Sequence, residues 1–138
     1  MTSQDMMPPI LYKMAGDWCR TQAAQNGPAS YEWFFDRQLP GDACGAWHSS
    51  DLWYWFGTLD HCWRPFTAQD KVLSAQMVSY LTNFAKHGDP NGTDVPVWLP
   101  IDATQHKVLR LGEQPAHMGS ASMPKLVWTM LTNKAVGE

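Results

Sequence analysis

His48 is the side chain in this sequence whose type and surroundings best suit acid–base chemistry. An imidazole takes up and releases a proton near neutral pH because its unperturbed pKa is about 6.5. His48 lies among small and aromatic residues in the run GAWHSSDLWYWFG, residues 45–57, after a strand-like run at 31–37 and a Pro/Gly loop. Because α/β enzymes often carry reactive groups on loops that follow strands, this position suits a side chain that takes up and releases a proton.

The elements before His48 are predicted from local patterns. Residues 9–25 are typical of a helix that begins at the two prolines Pro8 and Pro9. Its apolar residues recur at helical spacing and predict one packing face, formed by Ile10, Leu11, Met14 and Trp18, with Thr21 beside them. Residues 31–37 predict a strand, because aromatic residues favour strands and alternate between its two faces.

The elements after His48 begin with an aromatic block at 53–56, which is either a short helix or an irregular wall. Residues 67–87 predict the clearest helix. Thr67 and Asp70 have capping-box spacing, and Gly88 suits the C-terminal end. The apolar stripe of this helix consists of Leu73, Met77, Leu81 and Phe84.

The last third of the chain predicts less regular structure. Residues 97–100 and 108–111 are typical of short strands, which we expect to pair as a hairpin through the connection at 102–106. Residues 113–123 predict a loop, and residues 124–134 predict a final helix.

Two motifs resemble one known family. The run at 45–57 resembles the histidine segment of the type-B carboxylesterases, Gly-Ala-x-His-Gly-x-Asp/Glu-Leu-x-Tyr-x-Phe-Gly, in the branch of the α/β-hydrolases that includes para-nitrobenzyl esterases and cholinesterases. Ser49 stands where that family usually has glycine. The run NFAKHGDPNG, residues 83–92, resembles a second family segment, Phe-Ala-x-x-Gly-Asp-Pro-Asn.

The resemblance implies an α/β fold, namely the C-terminal portion of an α/β-hydrolase with an incomplete sheet. Residues 1–138 then form a single domain. The resemblance also implies that His48 is the general base of a Ser-His-acid triad. Asp51 is implied to be a structural or supporting group that does not itself react.

The remaining members of such a triad are missing from the sequence. Ester cleavage of this kind needs a hydroxyl nucleophile and a carboxylate that orients the base. No serine lies in the Gly-x-Ser-x-Gly pattern of the fold, and Gly119-Ser120-Ala121 comes nearest. No carboxylate has the context of the triad acid. We therefore expect a fragment of a serine carboxylesterase that is inactive alone, and that acts on a small-molecule ester only if an N-terminal portion completes it.

Other interpretations stay open. The chain could be a noncatalytic binding or assembly module derived from the esterase fold, and an exposed sheet edge would favour self-association. A metal-binding domain could use Cys44, His48, His61 and Cys62, although their spacing matches no standard zinc pattern, so no metal or other cofactor is expected. Trp47, Trp53 and Trp55 either line a substrate pocket or simply pack. The other histidines, His61, His87, His106 and His117, are expected at the surface or at helix ends.

Composition excludes several classes of function. The 138 residues carry a net charge of −3 with no basic stripe, so nucleic-acid binding has no electrostatic support. No apolar run approaches the roughly 18 residues of a membrane span.

The cysteines and the N-terminus bear on the cellular compartment. The three cysteines, Cys19, Cys44 and Cys62, predict free thiols in a reducing compartment. The N-terminus lacks a signal-peptide pattern, so we expect a cytoplasmic protein unless a preceding segment carries a signal.

Overall fold

The computed structural model describes residues 3–105 and 107–120. In chain order the elements are α1 (Ser3–Ala24), β1 (Trp33–Phe35), α2 (Leu52–Trp55), a 3-10 helix (Leu59–His61), α3 (Ala68–His87), β2 (Val108–Leu111) and β3 (His117–Gly119). Helices with a small mixed sheet confirm the predicted α/β class. The predicted helix at 124–134 and His106 lie outside the described residues.

The sheet has the order β1-β2-β3, with β1 and β2 parallel and β2 and β3 antiparallel. Two parallel strands need a long crossover, and the connection that carries α2 and α3 provides it. Trp33 lies opposite Leu109 and Phe35 lies opposite Leu111. Among the described strands, β1 pairs on one side only, so the sheet is open at β1, as an incomplete sheet predicts.

The two faces of β1 carry different helices because neighbouring side chains point to opposite sides of a strand. On one face, the Trp33 ring centroid lies 5.1 Å from that of Trp55, next to the α2–α3 core. On the other face, Phe34 meets Tyr12 of α1 edge to face, with centroids 5.5 Å apart. The strand that leads to His48 is therefore held between α1 and the α2–α3 pair.

Helix α1 differs from its prediction in two respects. It begins at Ser3, so Pro8 and Pro9 lie within it and do not start it. The predicted packing stripe is also wrong, because Leu11, Met14 and Trp18 are 51%, 62% and 65% exposed.

The side of α1 that packs carries Tyr12 and Gly16. Gly16 is buried, and Tyr12 contacts the sheet. A glycine lets a helix approach its neighbour closely, and the spacing of four residues puts Tyr12 and Gly16 on one face. Apolar periodicity alone did not reveal this alternative face.

The predicted C-terminal hairpin is wrong. Residues 97–100 are not a strand, because the Asn91 side chain takes both backbone groups of Trp98: the Trp98 N–H donates to Asn91 Oδ1 at 2.7 Å, and Asn91 Nδ2 donates to the Trp98 carbonyl at 2.9 Å. β2 pairs instead with β1 and with β3, which lies inside the predicted loop at 113–123.

Helix α3 confirms its prediction closely. The capping box of Thr67 and Asp70 is formed, and Gly88 ends the helix with a left-handed φ of 70°. Leu73 and Met77 are buried, whereas Leu81 and Phe84 are exposed at the far end of the stripe. Across the described part of the chain, no helix combines the length and hydropathy needed to cross a membrane.

Candidate active site

His48 lies in an irregular segment between β1 and α2, residues 38–51, which we call the histidine loop. Two tight turns form its last part: the Ser50 N–H donates to the Trp47 carbonyl at 3.0 Å, and the Leu52 N–H donates to the Ser49 carbonyl at 3.2 Å. The His48 side chain is exposed at the start of these turns. The backbone thus presents the imidazole outward, immediately before α2.

Ser49 occupies a strained backbone conformation. Its φ of 69° lies in the left-handed region, which costs an L-residue about 1–2 kcal/mol and costs glycine almost nothing. This geometry explains physically why a glycine is favoured after the histidine in the sequences that this segment resembles. Ser49 adopts the same left-handed conformation and therefore destabilises the turn relative to glycine.

No carboxylate orients the imidazole within the part of the chain that the structure describes. Asp51, which follows three residues later, accepts a hydrogen bond from Trp55 Nε1 at 3.1 Å and so holds the indole. The neighbouring Ser50 is buried, and its hydroxyl has no partner among the described side chains. The supporting role of Asp51 toward His48 stays a prediction.

An apolar groove of about 490 Å³ opens beside the histidine loop, and we call it the aromatic groove. Asp51 and Leu52 line the groove at the start of α2. Aromatic rings from β1, α2, α3 and the segments beside them make up most of the lining: Tyr31, Trp33, Trp55, Phe56, Tyr80, Phe84 and Trp98. Along the chain, Ser49 and Ser50 separate His48 from Asp51, which is a groove residue.

The three tryptophans predicted near the substrate have different surroundings. Trp55 is buried and lines the aromatic groove. Trp53 packs against the hydrophobic core. Trp47 lies against the guanidinium of Arg64, whose Cζ is 4.6 Å from the ring centroid. The structure therefore brings one of the three to the groove and leaves the substrate role of all three a prediction.

A buried ion pair supports the base of the histidine loop. Arg37, just after β1, donates from Nε to Asp70 Oδ1 at 2.9 Å, and the Tyr54 hydroxyl donates to the same oxygen at 2.8 Å. Asp70 Oδ2 accepts from the Thr67 N–H and hydroxyl, each at 2.7 Å. Burial opposes ionisation of Asp70, but these hydrogen bonds outweigh it and lower its pKa.

Sequence reasoning identified Asp70 only as a helix cap and missed its partner Arg37. A basic residue at the end of an aromatic strand was the available signal, but its partner lies 33 residues away. The pair ties the end of β1 to the first turn of α3, and Tyr54 adds α2. These contacts fix where the histidine loop leaves the sheet.

Metal ligation gains no geometric support. Cys19, Cys44 and Cys62 are free thiols. Within residues 3–105 and 107–120, no three His, Cys, Asp or Glu side chains lie close enough to share a metal ion.

Comparison with known proteins identifies the family. A model of the carboxylesterase family matches residues 2–127, which include the histidine loop, the aromatic groove and α3. The chain belongs to the carboxylesterase family. Its relatives include the bile salt-activated lipase of Rattus norvegicus, 46% identical over 73 residues, a match that covers 51% of this chain and 12% of the lipase. The human bile salt-activated lipase is 36% identical over 88 residues, covering 62% of this chain and 11% of the lipase.

A solved structure supports the fold of this carboxylesterase-family chain. An esterase from the anaerobe Clostridium hathewayi that can hydrolyse aliphatic aromatic polyesters superposes with a TM-score of 0.66 and 22% identity. The match covers 73% of this chain and 20% of the esterase. The chain thus spans about a tenth of the length of the curated relatives it matches, and a fifth of the solved esterase.

Proposed function

We propose that this chain takes part in carboxylic ester hydrolysis by supplying His48 as the general base for a serine nucleophile. The observation that carries the proposal is the carboxylesterase-family match across residues 2–127, which contains the histidine loop. Since the sequence has no Gly-x-Ser-x-Gly motif, the nucleophile belongs to a different polypeptide segment. The orienting carboxylate is assigned to that segment too, because Asp51 holds Trp55 and no other carboxylate of the described residues contacts His48. The chain alone is then inactive toward esters.

The exposed imidazole has the chemistry that this role requires. A ring nitrogen of His48 accepts the proton of the serine hydroxyl while the serine oxygen attacks the ester carbonyl. The imidazolium returns that proton to the departing alcohol, and an acyl-enzyme remains. Water then attacks the acyl carbonyl while His48 accepts a proton from the water, and the imidazolium gives that proton to the serine oxygen as the acyl C–O bond breaks, which releases the acid and the free serine. The substrate is a small-molecule ester.

The open edge of β1 and the aromatic groove are the proposed contact surface for the nucleophile-bearing segment. Trp33 belongs to both, because it lies on the edge strand and lines the groove. Leu52, Phe56, Leu81 and Phe84 leave large apolar areas exposed around the groove. Contiguous apolar surface of this kind marks an interaction site more often than a free surface.

A chimera tests the catalytic proposal. In the Clostridium hathewayi esterase, the segment that superposes on this chain is replaced by this chain, and p-nitrophenyl acetate hydrolysis is measured. We expect turnover in the folded chimera, and a loss of at least about a thousandfold in His48→Ala. His87→Ala is the matched control, because His87 is exposed at the end of α3, and it should keep the full rate.

Two results would contradict the catalytic proposal. One is a folded, active chimera in which His48→Ala and His87→Ala have the same rate. The other is hydrolysis by this chain alone that His48→Ala abolishes, because a nucleophile would then lie within these 138 residues.

A noncatalytic assembly module is the second candidate, and the open edge of β1 beside exposed aromatic rings favours it. In this case two copies of the chain associate through β1 and the aromatic groove. Light scattering of the isolated chain over a concentration series should show a dimer or larger species. Phe56→Lys, which puts a charge on an exposed groove residue, should shift it to monomer. A monomer at every concentration rules out self-association.

A further inference from the structure

Apart from the two tight turns at its end, the histidine loop has few backbone hydrogen bonds of its own. No helix or strand lies between Phe35 and Leu52, and the backbone has positive φ at Gly41 (104°), Gly45 (69°) and Ser49 (69°). Irregular segments with few backbone hydrogen bonds open more readily than helices and strands. A proton-transferring side chain needs a fixed position, because a displacement of about 1 Å can cost 100-fold in rate. The loop therefore depends on contacts from elsewhere in the chain.

One side chain from outside the loop makes several of these contacts. Arg64 donates from Nη1 to the Pro40 carbonyl at 2.8 Å and from Nη2 to Asp42 Oδ2 at 2.6 Å. Its guanidinium also lies over two indole rings, 4.6 Å from the centroid of Trp47 and 4.8 Å from that of Trp63. We call this arrangement the Arg64 bracket. It holds the loop near its beginning and again at Trp47, the residue immediately before His48.

The bracket is itself anchored in the folded core. Phe66, two residues beyond Arg64, packs against the core cluster and lies 5.8 Å from the Tyr54 ring centroid. Thr67 then caps α3. A Cβ added at Gly41 would lie 3.0 Å from the Trp63 ring, so the loop backbone already runs directly against the bracket. The loop is thus tied to α3 through a short segment of chain.

We propose that Arg64 is a positioning residue for His48, which it acts on through Trp47 and the loop backbone. An effect of Arg64 on catalysis rests on the proposed function of His48. Its mechanical role, which is to hold the histidine loop in place, does not. An exposed ion pair would contribute little, but the Arg64 side chain is only 8% exposed. Its planar guanidinium can stack on two rings and donate in two directions at once. The tetrahedral ammonium of lysine cannot reproduce this arrangement.

Hydrogen exchange of the isolated chain tests the mechanical role. Arg64→Lys keeps the charge opposite Asp42 and removes the stacking. We expect exchange of the amides at 41–49 to become about tenfold faster, while those of α3 stay within twofold of wild type. The ring signals of His48 in ¹H–¹³C spectra should move toward those of an unstructured histidine. Arg20→Lys is the matched control, because Arg20 pairs with Asp17 within α1, outside the histidine loop, and it should leave the loop unchanged.

Trp47→Leu provides a second variant in case Arg64→Lys does not fold. It removes one of the two rings from a partly exposed position, and it should accelerate exchange in the same loop amides by a smaller factor. Loop exchange within twofold of wild type in both variants would overturn the proposal. Equal acceleration in the loop and in α3 would also overturn it, since Arg64 would then act on global stability.

Kinetics in the esterase chimera separate this inference from the proposed function. Arg64→Lys should lower kcat by about 10- to 100-fold with KM little changed, because the base is displaced and the substrate contacts are not. If the chimera is inactive whatever stands at position 48, the proposed function fails, and the exchange result still decides the role of Arg64. If the chimera is active and loop exchange is unaffected, the positioning role fails alone.

Discussion

Replacing Asp70 by asparagine should destabilise this protein more than any change at an exposed charge. Asp70 is fully buried, and its two oxygens accept hydrogen bonds from Arg37, Tyr54 and Thr67. Asparagine has nearly the same shape but no charge, and one of its two oxygen positions becomes an NH₂ donor. The Arg37 guanidinium then stays buried without its principal counter-charge. The new NH₂ group also points at hydrogen-bond donors, either those of Arg37 and Tyr54 or those of Thr67.

The magnitude follows from this loss. Removing one partner of a buried ion pair costs about 3–5 kcal/mol, because the remaining charge is left uncompensated. Arg37 retains one contact, from Nη1 to Glu113 Oε2, but the Glu113 side chain is 63% exposed, so water screens it. Because asparagine preserves the packing and one acceptor, we expect the lower end of the range, about 3 kcal/mol. At an m-value of about 2 kcal/mol/M, the urea midpoint should fall by roughly 1.5 M.

The dependence on pH has a defined sign. Burial raises the pKa of Asp70, but the hydrogen bonds outweigh burial and hold the pKa below its ordinary 3.8. As the pH falls, the unfolded chain therefore binds the proton first. The stability from the carboxylate is complete well above pH 3.8 and is lost as the pH falls through the folded-state pKa. The wild type should thus lose stability faster with acid than Asp70→Asn.

Equilibrium urea unfolding, followed by tryptophan fluorescence, measures these differences. Asp60→Asn is the matched control, because Asp60 makes an exposed pair with Lys71, and it should change stability by less than about 0.5 kcal/mol. The double variant Arg37→Met/Asp70→Leu should cost less than the two single changes added together, because it leaves neither charge unpaired. A free energy of unfolding that falls no further in Asp70→Asn than in Asp60→Asn would show that the buried ion pair does not stabilise the fold.

Two further substitutions probe the backbone near the site. Ser49→Gly should stabilise the chain by about 0.5–1 kcal/mol relative to Ser49→Ala in the urea midpoint, because glycine relieves the left-handed strain at 69° while adding some entropy to the unfolded chain. If Ser49→Ala and Ser49→Gly were equally stable, the left-handed conformation at position 49 would not destabilise the folded chain. Asn91→Ala should cost about 1–3 kcal/mol, since both backbone groups of buried Trp98 lose their partner. A Trp98 amide that stays equally protected from exchange in Asn91→Ala would show that another group or water takes over.

The features that the sequence predicted correctly are those that local chemistry controls. The capping box of α3 joins two residues that are three apart in the chain. Gly88 comes directly after the last helical residue, where a left-handed backbone conformation ends the helix. For the aromatic block at 53–56 the sequence left a short helix and an irregular wall open, and the structure has the short helix α2 at Leu52–Trp55. The histidine motif also marked the family correctly, because its residues are contiguous in the chain.

The features that the sequence did not reveal depend on partners far away in the chain. Helix α1 offers two faces with plausible packing residues, and only the position of β1 selects Tyr12 over Leu11 and Trp18. Residues 97–100 read as a strand because their composition favours one, but the Asn91 side chain takes the backbone groups that a sheet would need.

The candidate site divides in the same way. The sequence by itself determined that a histidine stands in a carboxylesterase-like loop and that no Gly-x-Ser-x-Gly nucleophile accompanies it. Only the tertiary structure decided that Arg64 contacts that loop at Trp47 and that Asp51 accepts a hydrogen bond from the Trp55 indole. The aromatic groove beside the loop also depends on the tertiary structure. The physical reason is that side-chain contacts between distant segments depend on how helices and strands pack, which local patterns do not specify.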